Sequence, residues 1–299
     1  MATILKDAGL SELIDGELER VAAGFQFTEG PLWLPDGALL FQDLKADRTH
    51  RLGPDGTCAV LREGTRAANG QTFGPDGRVV FCEQNGRRVS TMARDGSDVR
   101  PLVEEWSGGR LNSPNDVVCR SDGQIYFTDP PYGVEPAARA LHFQGVYRID
   151  PRKGAGSLAL EADDFERPNG LAFDPSESLL YVCDTFRYTV RAIPVDGAGR
   201  LLTSKGRLFA RLEPGIPGGP DGIKVDQEGR VYVAVALGVW VFEPGGRLLG
   251  VLATPGRPSN LAFGGPDRKT LHITAVDAVH RVRLRVEGVI PPFLGPDRP

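Results

Sequence analysis

The chain is built from one unit used six times. An oxygen-bearing residue, a short apolar stretch, a tight turn and a second apolar stretch recur as EGPLWLPDGALLF from Glu29, NGQTFGPDGRVVF from Asn69, NDVVCRSDGQIYF from Asn115, NGLAFDPSESLLYV from Asn169, DGIKVDQEGRVYV from Asp221 and NLAFGGPDRKTLHI from Asn260. The leading residues lie 40, 46, 54, 52 and 39 positions apart. A turn residue follows seven positions after each: Asp36, Asp76, Asp122, Ser176, Glu228 and Asp267. A supersecondary unit of ~40–50 residues repeated in this way is the mark of a β-propeller blade.

Each copy reads as a β-hairpin. P-D-G or S-D-G supplies the turn, because Asp favours its start and Gly takes φ > 0. The runs that follow (ALLF, RVVF, QIYF, LLYV, RVYV, TLHI) are rich in branched and aromatic residues, as buried strands are. Between copies lie further short strands, such as HRLGPDGTCAVL and GVYRIDPRKGAGSLAL, giving four strands per blade. The 38 Gly and 24 Pro suit such a turn-dense chain. The segment LERVAAGFQF before Glu29 is strand-like and has no copy of its own. It is expected to complete the last blade as an outer strand, closing the ring by pairing the two chain ends. The expectation is an all-β, six-bladed propeller with four-stranded antiparallel blades, forming one domain over 1–299 with 1–15 and 290–299 peripheral.

In a propeller the innermost strand of each blade lines a central channel. The repeat then brings Glu29, Asn69, Asn115, Asn169, Asp221 and Asn260 to one mouth of it. All six carry a side-chain oxygen, and two are carboxylates. A hard divalent cation suits such a set: Ca²⁺ takes 6–8 oxygen ligands, whereas Mg²⁺ wants a regular octahedron and Zn²⁺ wants His or Cys. Zn²⁺, Mn²⁺ and Mg²⁺ stay open as the working ion. A competing reading makes these residues mere turn formers, since Gly follows four of them. Glu29 argues against it, because Glu is no turn residue.

Several function classes are disfavoured. A net charge of −4 gives no basic footprint for nucleic acid. No apolar run approaches the ~20 residues of a membrane span, and MATILKDAGL does not read as a secretory signal, so a cytoplasmic protein is expected. Cys58, Cys82, Cys119 and Cys183 form no C-x-x-C pair and read as free thiols. No G-x-S-x-G, P-loop or dinucleotide fingerprint stands in its required context.

The blocks FTEGPLW, RLNSPNDVV with SDGQIYFTDPPYG, QGVYRI, RPNGLAF and PDGIKVDQEGRVYVA resemble the gluconolactonase branch of the superfamily that also holds senescence marker protein (regucalcin) and luciferin-regenerating enzyme. More distantly it includes diisopropyl fluorophosphatase and paraoxonase. The resemblance runs from about Phe27 to Ala275. It implies a six-bladed propeller with a divalent cation, usually Ca²⁺, held by Glu29, Asn115, Asn169 and Asp221. It implies hydrolysis of a sugar lactone, with Asp221 as base or nucleophile and Glu29 as the alternative. Asn69 and Asn260 are left over for substrate or for contacts that support the ligands; Arg110 and Asn112 join them for substrate by analogy, and His142 by its place in the loop PPYGVEPAARALHFQG. Two departures stand out: the senescence-marker branch has Arg where this chain has Ser113, and the His common in this branch is Gln84 here. A promiscuous esterase or phosphotriesterase on the same metal site, or a non-catalytic binding propeller, are the other readings. Oligomeric state stays open.

Two loops, at 130–144 and 213–220, are candidates to cover the site. His272, His280, Trp33 and Trp240 lie in strand patterns and are expected to be structural. Asp43, Glu83, Asp129 and Asp184 recur after the second strand of four blades and are read as a repeat feature at blade edges, not as catalytic groups.

Overall fold

The computed structural model describes residues 2–212 and 218–294. They form a ring of six antiparallel blades. The first blade shows the plan: Thr28–Trp33 innermost, then Leu39–Asp43, Arg48–Leu52 and Cys58–Glu63 outward. The inner strands that follow are Ala68–Phe73, Val117–Cys119, Pro168–Phe173, Ile223–Val225 and Pro258–Gly264. Neighbouring inner strands touch, and Pro258–Gly264 meets Thr28–Trp33 to close the circle. Among the described residues no helix is long and apolar enough to cross a membrane.

The hairpin turns form as their sequence requires. Gly37, Gly77, Gly123 and Gly229 take φ of 85°, 75°, 88° and 80°. The Asp before Gly37, Gly77 and Gly123 accepts a hydrogen bond from the backbone N–H two residues on: Asp36 from Ala38, Asp76 from Arg78 and Asp122 from Gln124, at 3.2, 3.1 and 3.0 Å.

The core is not one mass but a set of seams. Apolar clusters fill the gap between each pair of neighbouring blades, including the sixth and the first, where Leu39 and Phe41 meet Ala262 and Val279. This is why second strands such as Val79–Glu83 are buried at every position and show no alternation. A strand covered on both faces reads as a continuous apolar run.

The chain ends take part in this ring. Glu19–Ala23 pairs with Ala278–Arg283 as the outer strand of the sixth blade. Ile4–Asp7, expected at the periphery, pairs with Leu248–Ala253 and makes the fifth blade five-stranded. Residues 290–294 run across the opposite end of the channel. There Pro291, Phe293 and Leu294 line a cavity of about 640 Å³ together with Phe173, Val225 and Phe263.

Candidate functional site

Five of the six expected ring residues reach one cavity of about 550 Å³ at the channel mouth: Glu29, Asn69, Asn115, Asn169 and Asp221. All five are buried, at 2–6 % exposure. Adjacent blades approach so closely here that a Cβ on Gly30 would overlap the Asn69 carbonyl, and one on Gly170 the Asp221 carbonyl. Of the four glycines that follow a ring residue, only Gly30 has positive φ. The others are required by close approach rather than by a turn, which removes the turn-former reading for Asn69, Asn169 and Asp221.

The sixth copy is out of register by one residue. Trp33, Phe73, Cys119, Phe173, Val225 and Phe263 each pair with the first residue of the next strand or its equivalent. Counting four residues back from each gives Glu29, Asn69, Asn115, Asn169, Asp221 and Ser259. The backbone agrees: Gly170 N–H donates to Asp221 O, and Gly222 N–H donates to Ser259 O, at 3.1 and 2.8 Å. A longer hairpin between Phe263 and Leu271 caused the slip. Ser259 Oγ turns away to the Thr28 carbonyl at 2.6 Å and helps close the ring.

Asn260 therefore lies one level deeper and does not line the mouth. Its side chain favours the charged forms of both Glu29 and the buried Asp116. Its Oδ1 accepts from Leu261 N–H at 2.8 Å and from Lys224 Nζ at 3.4 Å. It supports the ring from below.

Electrostatics set the mouth apart from the rest of the channel. Burial pushes the Glu29 carboxyl well above the usual range, and the Asp221 charge adds to it. Burial also raises Asp221, against the pull of Arg257, whose Nη2 donates to Asp221 Oδ2 at 3.1 Å. Burial raises Asp116 in the same way. Asn69 Oδ1 and Asp116 Oδ2 are buried without a hydrogen-bond partner. Asn169 Nδ2 donates to Thr185 Oγ1 at 3.0 Å, so its oxygen stays available. Repelling carboxylates, amide oxygens and an orphaned acceptor fit a hard divalent cation, and among the described residues no His or Cys lines the cavity.

Other expected residues lie elsewhere. His142 is exposed and outside the cavity. Arg110 donates to Gly86 O at 3.0 Å. Asn112 is buried and donates to Phe143 O at 2.9 Å. None of these three lines the mouth. The loop at 130–144 reaches it through Tyr132; of the loop at 213–220, residues 213–217 lie outside the described residues, and Gly218 and Gly219 line the cavity. Gln84 lines it too.

The recurring carboxylates are buried clips that hold the approach to the ring. Asp43 accepts from Gln26 and Phe27 N–H (both 2.9 Å), Asp129 from Asn112 and Ser113 (2.8 and 2.7 Å), and Asp184 from Glu166 and Arg167 (2.9 and 3.2 Å). In each case these are the residues two and three positions before the ring residue. Glu83 departs from the pattern and faces Arg88 Nε at 3.0 Å.

Sequence reasoning missed Arg257, Tyr132 and Thr185 at the mouth. The signal for Arg257 was present. In the corrected register RPSN aligns with RPNG, so Arg257 and Arg167 hold the same repeat position, two residues before the ring. His272, by contrast, stacks on a half-buried Trp33 at 5.0 Å, Trp240 is buried, and His280 is buried, as structural residues. The four cysteines are free.

The model of the SMP-30/Gluconolactonase/LRE-like region matches residues 27–277. A gluconolactonase of Zymomonas mobilis is 34% identical over 297 residues, covering 91% of this chain and 82% of that protein. A pentonolactonase of Haloferax volcanii is 27% identical over 250 residues, covering 82% and 80%. The solved structure of a gluconolactonase from Xanthomonas campestris superposes with a TM-score of 0.85 at 33% identity, covering 95% of each chain.

Proposed function

Because the chain belongs to the SMP-30/gluconolactonase/LRE-like family, we propose that it is a metal-dependent lactonase that opens a sugar lactone at the channel mouth. Its relatives support a lactone-hydrolysing carboxylic ester hydrolase. The observation that carries it is the convergence of Glu29, Asn69, Asn115, Asn169 and Asp221 from five blades on one cavity, with both carboxylates buried.

Glu29, Asn115, Asn169 and Asp221 would hold the cation, most readily Ca²⁺. Such an ion would supply Lewis acidity toward the lactone carbonyl oxygen. Asp221 is the proton acceptor. Its Oδ2 is engaged by Arg257, so Oδ1 is the atom left to take a proton from the attacking water. The water oxygen bonds to the carbonyl carbon, the ring C–O bond breaks, and the leaving alkoxide takes a proton, giving the open hydroxy acid. Attack by Asp221 itself is the variant of this scheme. Asn69 offers its unpartnered Oδ1 to a substrate hydroxyl or to the ion.

The test is proton release from glucono-, galactono- and xylonolactones by chelated protein, then with Ca²⁺, Mg²⁺, Mn²⁺ or Zn²⁺ returned singly. Activity that disappears with chelator and returns with a divalent ion is the expected result. Folded, metal-supplied protein that turns over none of these lactones overturns the reading.

A further inference from the structure

The mouth carries more positive charge than the ring needs. Of the described residues lining it, Lys45, Arg167 and Arg257 are cationic and Glu29 and Asp221 are anionic. A divalent ion would add to that excess, on a chain whose net charge is −4. Arg257 is engaged with Asp221. Lys45 and Arg167 are not engaged with carboxylates among the described residues. They are exposed, and aromatic rings hold them: Lys45 Nζ lies 5.4 Å from the Phe27 ring, and the Arg167 guanidinium lies 5.7 Å from Tyr132 and 5.4 Å from Phe186. A ring face fixes a cation without neutralising it. Phe27, Tyr132 and Phe186 line the same cavity, so the two charges are presented to it.

Fixed, unneutralised cations at a cavity rim bind and steer anions. A neutral sugar lactone gives Lys45 and Arg167 no ionic partner. We propose that the lactone accepted here carries an anionic group (carboxylate, sulfonate or phosphoryl) on the part of the sugar away from the carbonyl, and that Lys45 and Arg167 hold it. The inference rests on the lactonase reading and specifies its substrate class. Arg257, at the same repeat position as Arg167 but turned onto Asp221, shows one register serving two tasks. Gly218 makes room for that turn: a Cβ there would lie 2.7 Å from the Arg257 guanidinium carbon.

The test compares kcat/KM of metal-supplied protein for glucono-1,5-lactone, 6-phosphoglucono-1,5-lactone and glucaro-1,4-lactone, at low salt and at about 0.3 M salt, where the Debye length is only several Å. An anionic lactone is expected to exceed the neutral one by about 10-fold or more at low salt, chiefly through KM, and to lose most of that advantage at high salt. Replacing both cations (Lys45→Ala with Arg167→Ala) should lower the anionic-to-neutral ratio by about 10-fold, while Arg167→Lys keeps part of it. Lys45→Gln with Arg167→Gln serves if the alanine pair does not fold. Calorimetry with 6-phosphogluconate on the same proteins should show binding weakened by a similar factor. A ratio near one that neither salt nor the double substitution moves overturns this inference and leaves the lactonase reading standing. Turnover of neither kind of lactone overturns both.

Discussion

The two ends of the channel are made from the same strands and behave oppositely. At the mouth, five inner strands carry a Glu, Asp or Asn close to or just before their first residue, and neighbouring backbones crowd so closely that glycine must follow most of them. At the rear, where the inner strands finish, Trp33, Phe173, Val225 and Phe263 line an apolar cavity of about 640 Å³ that residues 290–294 lie over. The larger cavity is therefore the less chemical one. Packing stabilises the rear; the mouth holds buried carboxylates that raise one another's cost of ionisation. Chemistry is expected where the fold tolerates strain and stability where it does not.

The largest effect should come from Asp221→Asn. Removing the proton acceptor is expected to lower kcat by about 10³-fold, in the range seen for loss of a general base, with the fold intact by circular dichroism. Loss of less than threefold would move the base elsewhere. Glu29→Gln comes next: divalent-ion affinity should weaken by about 100-fold by calorimetry, since one of two carboxylate ligands is lost.

Gly170→Ala tests whether crowding shapes the mouth. The added methyl overlaps the Asp221 carbonyl, so a loss of about 3 kcal/mol by denaturant titration is expected, with metal affinity falling alongside. Unchanged stability would mean that the blades can separate at no cost.

The rear should respond in stability alone. Burial depresses the His272 imidazole from its ordinary value to about 4. At neutral pH it is uncharged in both folded and unfolded chains. As pH falls below about 6.5 the unfolded chain takes up the proton first, so stability should fall by up to about 3 kcal/mol between pH 6.5 and 4. His272→Phe should flatten that slope. The smallest effect is Phe293→Ala, where a half-buried ring is lost from two apolar seams: about 1–2 kcal/mol, with metal affinity unmoved.

The sequence made the mouth legible and the rear almost invisible. Glu29, Asn69, Asn115, Asn169 and Asp221 could be found because the repeat is rigid: a carboxylate or amide oxygen at one register in each of five blades. Ser259 was lost to Asn260 because the sixth hairpin is longer, and length differences inside a turn leave no signature in an apolar run. Family analogy points to Arg110 and Asn112, and a loop to His142, but Asn112 is turned inward to hold Phe143 O and His142 is exposed outside the cavity. Tyr132 and Thr185 reach the mouth from segments outside the repeat, where periodicity says nothing. Asp43, Asp129 and Asp184 showed their recurrence but not their task, because a side chain gripping backbone N–H groups across a blade is a tertiary fact. Residues 290–294 gave no signal because a short segment with Pro291 and Pro292 reads as an end, not as a cover.

The most direct measurement is calorimetric titration of chelated protein with Ca²⁺, beside the Glu29→Gln/Asp221→Asn protein. One site per chain is expected in the wild type and none in the double variant. The metal-free double variant should also melt higher than metal-free wild type, because two buried carboxylates no longer oppose each other. No heat and no change in melting temperature with any of Ca²⁺, Mg²⁺, Mn²⁺ or Zn²⁺ would contradict a cation site at the mouth.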